Sequence, residues 1–294
     1  MYICAMKLII LLFASFFLSC SASKQSMAPS TTLTKGVELL TFDYTITKNG
    51  EQLPTKLFLL DVRLSDRVTL AATAAEDSDS SIQPNSEAMT AIAPISKQLE
   101  AMQSKRQRVK VLTGVNADFF HIRSSQMVCG VMYRNGKALK NDFDSQTTVF
   151  ALLKDGTARC MTNEEYKLFD KSLIAEAVSG RQMLLNDGKE QSREATVFHP
   201  RTAIGVTKDG KRVFILVADG RRKEYSNGLA YADMELIFKQ LGAYDALNLD
   251  GGGSTSLCLP VGGSEFAPKN RPSDRAGERA VPNGLAVVEL KKRL

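Results

Sequence analysis

The sequence predicts an α+β fold, a mainly antiparallel mixed sheet with a few packed helices in a single domain. Three observations lead there. Four two-residue turn signals each pair two apolar runs, only three stretches carry helical periodicity, and no linker divides the body. Asn49-Gly50 lies between LLTFDYTI and LFLLDVRL, and Asn135-Gly136 follows GVMY. Asp155-Gly156 follows VFALL, and Asp209-Gly210 separates TAIGV from VFILVA. Asn-Gly and Asp-Gly accept the positive φ angles of tight hairpin turns, so each dipeptide predicts two antiparallel strands.

Of the helical stretches, residues 86–106 have apolar positions at helical spacing, with Pro94 expected to break or kink them. Thr162-Asn163-Glu164-Glu165 opens a short helix toward Lys171. Residues 229–241 place Met234, Ile237, Phe238 and Leu241 on one face, and Gly242 supplies the stop. The following AYDALNLD (243–250) reads as a buried strand.

Residues 1–20 stand apart. Lys7 precedes the apolar run 8–14, and the segment closes on Phe17-Leu18-Ser19-Cys20. A basic start, a short apolar core and small residues at the cut describe an export signal too short to span a bilayer. Cys20 after Leu18-Ser19 resembles the lipobox of bacterial lipoproteins. It predicts acylation of that cysteine and an exported protein held at the membrane by its lipid. Residues 21–36, rich in Ser, Thr, Ala and Lys, are expected to form a tether, and residues 37–294 the folded domain.

About 260 residues remain after the signal and tether, enough for one large core. The chain is 44% hydrophobic with net charge +6 and pI near 9.0. Its Lys and Arg are interspersed with acids along the sequence, which argues against a nucleic-acid partner and for mild attraction to anionic glycans or phosphates. Beyond Cys20 the cysteines are Cys129, Cys160 and Cys258. Three thiols permit one disulfide at most, and buried free thiols are the alternative.

The polar residues that interrupt this apolar pattern cluster at strand ends. LNLDGGGSTS (247–256) puts Asp250, Gly251, Gly252, Gly253, Ser254 and Thr255 after a buried strand, where bare backbone can approach a phosphate or sugar oxygen. The Lys of a nucleotide phosphate loop is absent, which disfavours ATP or GTP. Asn116 and Asp118 follow another apolar strand. Arg201 and Thr202 open a third, and Asp219, Gly220 and Arg221 close its hairpin partner. A guanidinium fork matches the non-bridging oxygens of a phosphodiester, and carboxylates at strand ends serve as acids, bases, nucleophiles or metal ligands. His121 and His199 lie beside these clusters and read as peripheral polar residues.

NADFF, SGRQMLLNDGK, RTAIGV, VADGR, LGAYDALNLDGGGSTS and ERAVPNGLAVV, in that order, resemble the successive motifs of the phosphodiester glycosidase family across about residues 109–288. The resemblance implies one catalytic domain that hydrolyses a glycosyl-1-phosphodiester, releasing the sugar and leaving a phosphomonoester. It implies catalytic roles for Asp250, Asp219, Arg201 and Asp118. Substrate or phosphate binding is implied for Asn116, Arg181, Thr202, Gly220, Arg221, Gly251, Gly252, Gly253, Ser254 and Thr255. Asp187, Arg279 and Asn283 match further motif positions. The family commonly has Asn-Gly-Gly-Phe-Phe in the first motif, where this chain has Ala117-Asp118, adding a carboxylate and bulk near the expected pocket.

Such a reaction needs a grip on the leaving phosphate, a carboxylate for the sugar cation, and an activated water. No cofactor is required by the sequence; a divalent cation is one route to the activated water. Two other functions fit the same residues: a surface glycan-binding lipoprotein without chemistry, and a phosphodiesterase that cuts the P–O bond.

Overall fold

The computed structural model describes residues 30–75, 91–106, 108–141, 143–191 and 197–291. The export signal, Cys20, residues 86–90 of the expected 86–106 helix and Lys292-Arg293 lie outside the described residues.

Strands β1 (Thr31–Thr34), β2 (Val37–Lys48), β3 (Glu51–Arg63) and β4 (Val68–Ala74) precede helix α1 (Ile95–Lys105). Then come β5 (Val109–Asn116), β6 (Val131–Arg134), β7 (Lys137–Asn141), β8 (Thr148–Leu153), β9 (Ala158–Met161) and helix α2 (Asn163–Leu168). Strands β10 (Ile174–Gly180), β11 (Gln182–Asn186), β12 (Lys189–Glu190), β13 (Arg201–Val206) and β14 (Arg212–Ala218) lead to α3 (Tyr231–Gln240). Strands β15 (Asp245–Asn248), β16 (Leu257–Gly262), β17 (Glu265–Pro268) and β18 (Asn283–Leu290) complete the domain.

All four predicted hairpins form: β2–β3, β6–β7, β8–β9 and β13–β14, each antiparallel. One expectation is corrected. Thr31–Thr34, within the expected tether, form β1 on β2, because four residues that include three β-branched threonines fit a pleated edge and Gly36 (φ 90°) turns the chain. Among the described residues the first helix starts at Ile95, with the break at Pro94 that the sequence expects: Ala93 bridges to Val281 and proline carries no N–H for an interior turn. Helix α2 carries the full Thr162/Glu165 capping box but ends at Leu168, short of the expected Lys171, where the chain turns extended at Phe169, and α3 ends at Gln240, two residues before Gly242 (φ 79°).

The strands pair into three sheets ordered β1-β2-β3-β14-β13-β15-β11-β12, β7-β6-β10-β8-β9 and β17-β16-β5-β18-β4. Their inner faces share one apolar core, to which Ile215, Phe150 and Val115 each contribute from a different sheet. Each outer face is covered by one helix. Met234 and Phe238 of α3 cover the first sheet, Tyr166 of α2 the second, and Leu99 and Met102 of α1 the third. A strand buried on both faces must be apolar throughout, which explains the unbroken runs TVFALL and RVFILVA. Cys160 and Cys258 are buried free thiols and Cys129 is half-buried and free.

The register gives the domain two poles. At one, the ends of β5, β10, β14 and β15 meet the starts of β13 and β18: Gly284 pairs with Asn116, Gln182 and Ala203 with Asn248, and Arg201 with Ala218. At the other, the turns at 136, 156 and 210 gather with the β3–β4 link, Leu64 N donating to Lys211 O and Ala158 N to Gly210 O.

Candidate active site

Asn116, at the end of β5, is the hub of the first pole. Its amide oxygen accepts from the Thr202 hydroxyl (2.7 Å) and from Ser256 N (3.1 Å), and its Nδ2 donates to Asp250 O (2.7 Å). One side chain thus ties β5, β13 and the glycine loop together. Asn116 and Thr202 are occupied by each other, so both position the site and leave phosphate contact to other groups.

Two carboxyls sit on this hub. Asp118 is 2% exposed. Its Oδ1 accepts from Ser179 N (2.9 Å) and Asn283 Nδ2 (2.8 Å), while Oδ2 is buried without a hydrogen-bond partner. Burial raises its pKa from 3.8 to about 7, and the negative charge of Asp250 adds to the rise. Asp250 N donates to Ala117 O (2.8 Å), which holds the two acids side by side. Asp250 is pushed to about 6 by burial, against the Ser254 hydroxyl and Gly251 N bonds and the Arg279 and Arg181 cations that favour its charge. Asp118 is therefore the weaker acid of the pair and keeps its proton to higher pH than Asp250.

Four arginines lie around the glycine loop, and two of them, Arg279 and Arg181, act on the Asp250 carboxyl. Arg279 is held by Asp274 in a two-point bridge (2.8 and 3.1 Å) and donates to Ser254 Oγ (3.3 Å). Arg221, in the left-handed region at φ 61°, lies over Gly252, where an added Cβ would stand 2.9 Å from its Nη2. Arg181 lies 5.3 Å from the Phe119 ring centroid. Arg201 stacks 4.3 Å from the centroid of Tyr231 and donates Nε–H to Leu229 O (3.1 Å). Burial, with the nearby Arg221 cation, lowers its pKa. Burial and the Arg201 and Arg221 charges also lower His199, whose Nδ1 is buried without a partner.

The glycine loop is a 3-10 turn at residues 252–254, and its amides are largely committed within the protein. Gly251 N donates to its neighbour Asp250 Oδ1 (2.8 Å), Gly252 N to Pro200 O (2.9 Å) and Ser254 N to Gly251 O (3.2 Å). The loop's expected bare amides thus shape Asp250 and dock the loop onto β13. Gly253 is required for another reason: a Cβ there would collide with Arg279 Nη2 and Asp274 Oδ1.

A pair of adjacent acids beside arginines suits a reaction that moves a proton beside a departing anion. The profile of the phosphodiester glycosidase family matches residues 110–288, more than half of the chain. The chain belongs to this family. An SPbeta prophage-derived uncharacterized protein of Bacillus subtilis (strain 168) is 31% identical over 175 residues, 54% of this chain and 26% of that protein. The chain therefore spans about a quarter of the length of that curated relative. Among solved structures, the zebrafish N-acetylglucosamine-1-phosphodiester alpha-N-acetylglucosaminidase catalytic domain, auto-inhibited by its pro-peptide, aligns with TM-score 0.63 at 20% identity. That alignment covers 92% of this chain and 88% of that one. An exported protein of Burkholderia pseudomallei K96243 aligns at 0.59 and 12% identity, covering 91% and 97%. Both share the fold.

Within this phosphodiester glycosidase domain, other expected residues fall elsewhere. Both oxygens of Asp219 are occupied: Asn270 Nδ2 (3.0 Å) and Arg271 N bind Oδ1, and Tyr225 Oη (2.9 Å) and Arg271 N bind Oδ2. Asp219 is thus corrected from a catalytic group to the pin of the loop that carries Arg221. Gly220 is a close-packing residue, with room for a Cβ filled by Pro200 N at 2.7 Å. Asp187 occupies the β11–β12 turn at φ 53°, where its amide donates to Asp245 Oδ1, away from the carboxyl pair. Ala117 packs its methyl into the central core, so the departure from the family motif adds no bulk beside Asp118. His121 is exposed in the 120–127 loop.

Sequence reasoning missed Asp274, Ser179, Tyr231 and Glu278. Glu278 accepts from Ser96 N and Ser96 Oγ at the start of α1 and from Ser256 Oγ (2.8 Å), anchoring the segment that presents Arg279. Ser179 and Glu278 open two of the family motifs, SGRQMLLNDGK and ERAVPNGLAVV, but only their long-range contacts give them a role, and Asp274 and Tyr231 stand outside every quoted motif. No cluster of three or more His, Cys, Asp or Glu able to hold a metal exists among the described residues. The two carboxyls lie among cations, a donor set that does not fit a divalent ion, and no step is derived through one.

Proposed function

We propose that this protein hydrolyses a glycosyl-1-phosphodiester at the anomeric C–O bond. The observation that carries the reading is the placement of Asp118 and Asp250 side by side, tied by the Asp250 N–Ala117 O bond, with Arg279 and Arg181 beside Asp250. Arg221, Arg201 and Arg279, with the Ser254 hydroxyl, hold the phosphate as its bridging oxygen takes the electron pair of the breaking C1–O bond. The ionised Asp250 faces the positive charge that develops at C1 and accepts a proton from the attacking water, whose oxygen forms the new bond to C1. Asp118, the weaker acid, keeps its own proton while Asp250 takes the one released by the water. Products are a free sugar and a phosphomonoester on the second partner, a phosphodiester-linked glycan.

Turnover in oxygen-18 water tests this. Label in the sugar is expected; label in the phosphate would assign P–O cleavage instead. Absence of turnover together with saturable glycan binding would assign a binding role. The sequence of residues 1–20 supports a second part of the proposal, that the protein is exported and anchored through acylated Cys20. Cys20→Ala is expected to move it from the membrane to the soluble fraction, and retention would refute the anchor.

A further inference from the structure

We infer that the pole opposite the candidate active site is a docking face for an anionic membrane surface. Lys35, Arg63, Lys208 and Lys211 are exposed there around the 207–212 turn, and Arg108 and Lys291 extend the same face. The face is continuous through the backbone. Arg63 N donates to Gly36 O (2.8 Å), Leu64 N to Lys211 O (2.9 Å), Leu290 N to Arg67 O (2.7 Å) and Lys291 N to Arg108 O (2.9 Å). Between Arg63 and Lys211 lies an open cleft of about 490 Å³ floored by Leu64, large enough for a phosphate headgroup.

The acids of this face are largely engaged. Asp61 makes a two-point bridge to Arg212 (2.7 and 2.6 Å), Glu289 pairs with Arg67 (2.8 Å), and Asp209 Oδ1 accepts from the Thr207 hydroxyl and from Lys211 N. Asp66 and Asp155 are exposed, fewer than the six cations just named. The chain beyond the described residues selects the partner. Thr31 pairs with Leu39, two positions inside the start of β2, so the chain joins the sheet close to this pole and β1 runs toward it. Nine residues lie between Cys20 and Ser30, a span of at most about 35 Å when extended, which keeps this pole within reach of the proposed Cys20 anchor on which this inference rests. Clustered Lys and Arg on a body held that close to a bilayer are drawn to anionic headgroups, and this orientation turns the carboxyl pair toward solvent.

Lysine acylation of the full chain, read residue by residue by mass spectrometry, tests the face. Vesicles of phosphatidylcholine are compared with vesicles that also contain phosphatidylglycerol. Lys35, Lys208 and Lys211 are expected to react about fivefold more slowly or less on the anionic vesicles. Lys97 and Lys223, at the other pole, should keep their rates, and high salt should abolish the difference. Arg63→Glu with Lys211→Glu should remove the protection of Lys208. Equal rates on both vesicles, or uniform protection of all five lysines, would overturn the proposal. So would equal protection by soluble inorganic phosphate or by duplex DNA without vesicles, which would reassign the cleft to a free anion or the face to nucleic acid.

Discussion

Asp118 and Asp250 differ in what surrounds them more than in chemistry. Asp118 receives two hydrogen bonds on one oxygen and none on the other, deep in the junction of the sheets, whereas Asp250 lies partly exposed near Arg279 and Arg181. Asp118 is the weaker acid because burial dominates and Asp250 ionises first. Its folded pKa of about 7 exceeds the ordinary 3.8, so the folded state binds the extra proton between those limits. Stability due to Asp118 is therefore present at low pH and lost as pH rises toward 7. Asp118→Asn keeps an oxygen to accept from Ser179 and Asn283 but never ionises. We expect its Tm at pH 8 to exceed the parent's by about 2–6 °C, with no gain at pH 4. Turnover of a sugar-1-phosphodiester should fall by about a hundredfold or more. Paired calorimetry and rate measurements check both, and a variant that keeps its rate would remove Asp118 from the chemistry.

The elements that matter most are the two loops facing each other, residues 250–256 and 270–283. The glycine loop has no room above Gly253 because the Arg279–Asp274 bridge packs there, and Glu278 fixes that second loop to the start of α1. Gly253→Ala must displace the bridge and the Arg279 bond to Ser254 Oγ. We expect kcat/KM to drop by about a hundredfold, the scale of removing one oriented donor. Because the loops lie at the edge of the core, the loss of Tm should stay within about 4 °C. A large fall in Tm with unchanged kcat/KM would make the contact purely architectural.

In the whole molecule, three sheets share a core and their strand ends deliver Asn116, Asp118, Arg181, Arg201 and Asp250 to one pole. Asn116 is where those sheets are stitched together. Asn116→Ala would orphan the Thr202 hydroxyl and Ser256 N in a buried place and free the carbonyl of Asp250. Two orphaned donors imply a loss of about 3 kcal/mol, a Tm lower by about 6–12 °C, and weakened substrate turnover together. Thermal unfolding of the variant checks this; a shift under about 2 °C would mean that the hub is dispensable.

By itself the sequence determined the local parts: the four hairpins, the capped start of α2, the approximate span of α3, the family motifs and the residues at strand ends. These depend on φ preference, hydrophobic period and capping, interactions that span a few positions. Only the tertiary structure decided roles. Asp219 and Asp250 look alike in sequence, yet one is encircled by donors, two of them from residues more than fifty positions away, and the other is left beside guanidinium groups. Likewise cations that alternate with acids along the chain gather at the two poles, because strand ends distant in sequence converge there. Burial and electrostatic field are sums over neighbours in space, and the fold alone chooses those neighbours.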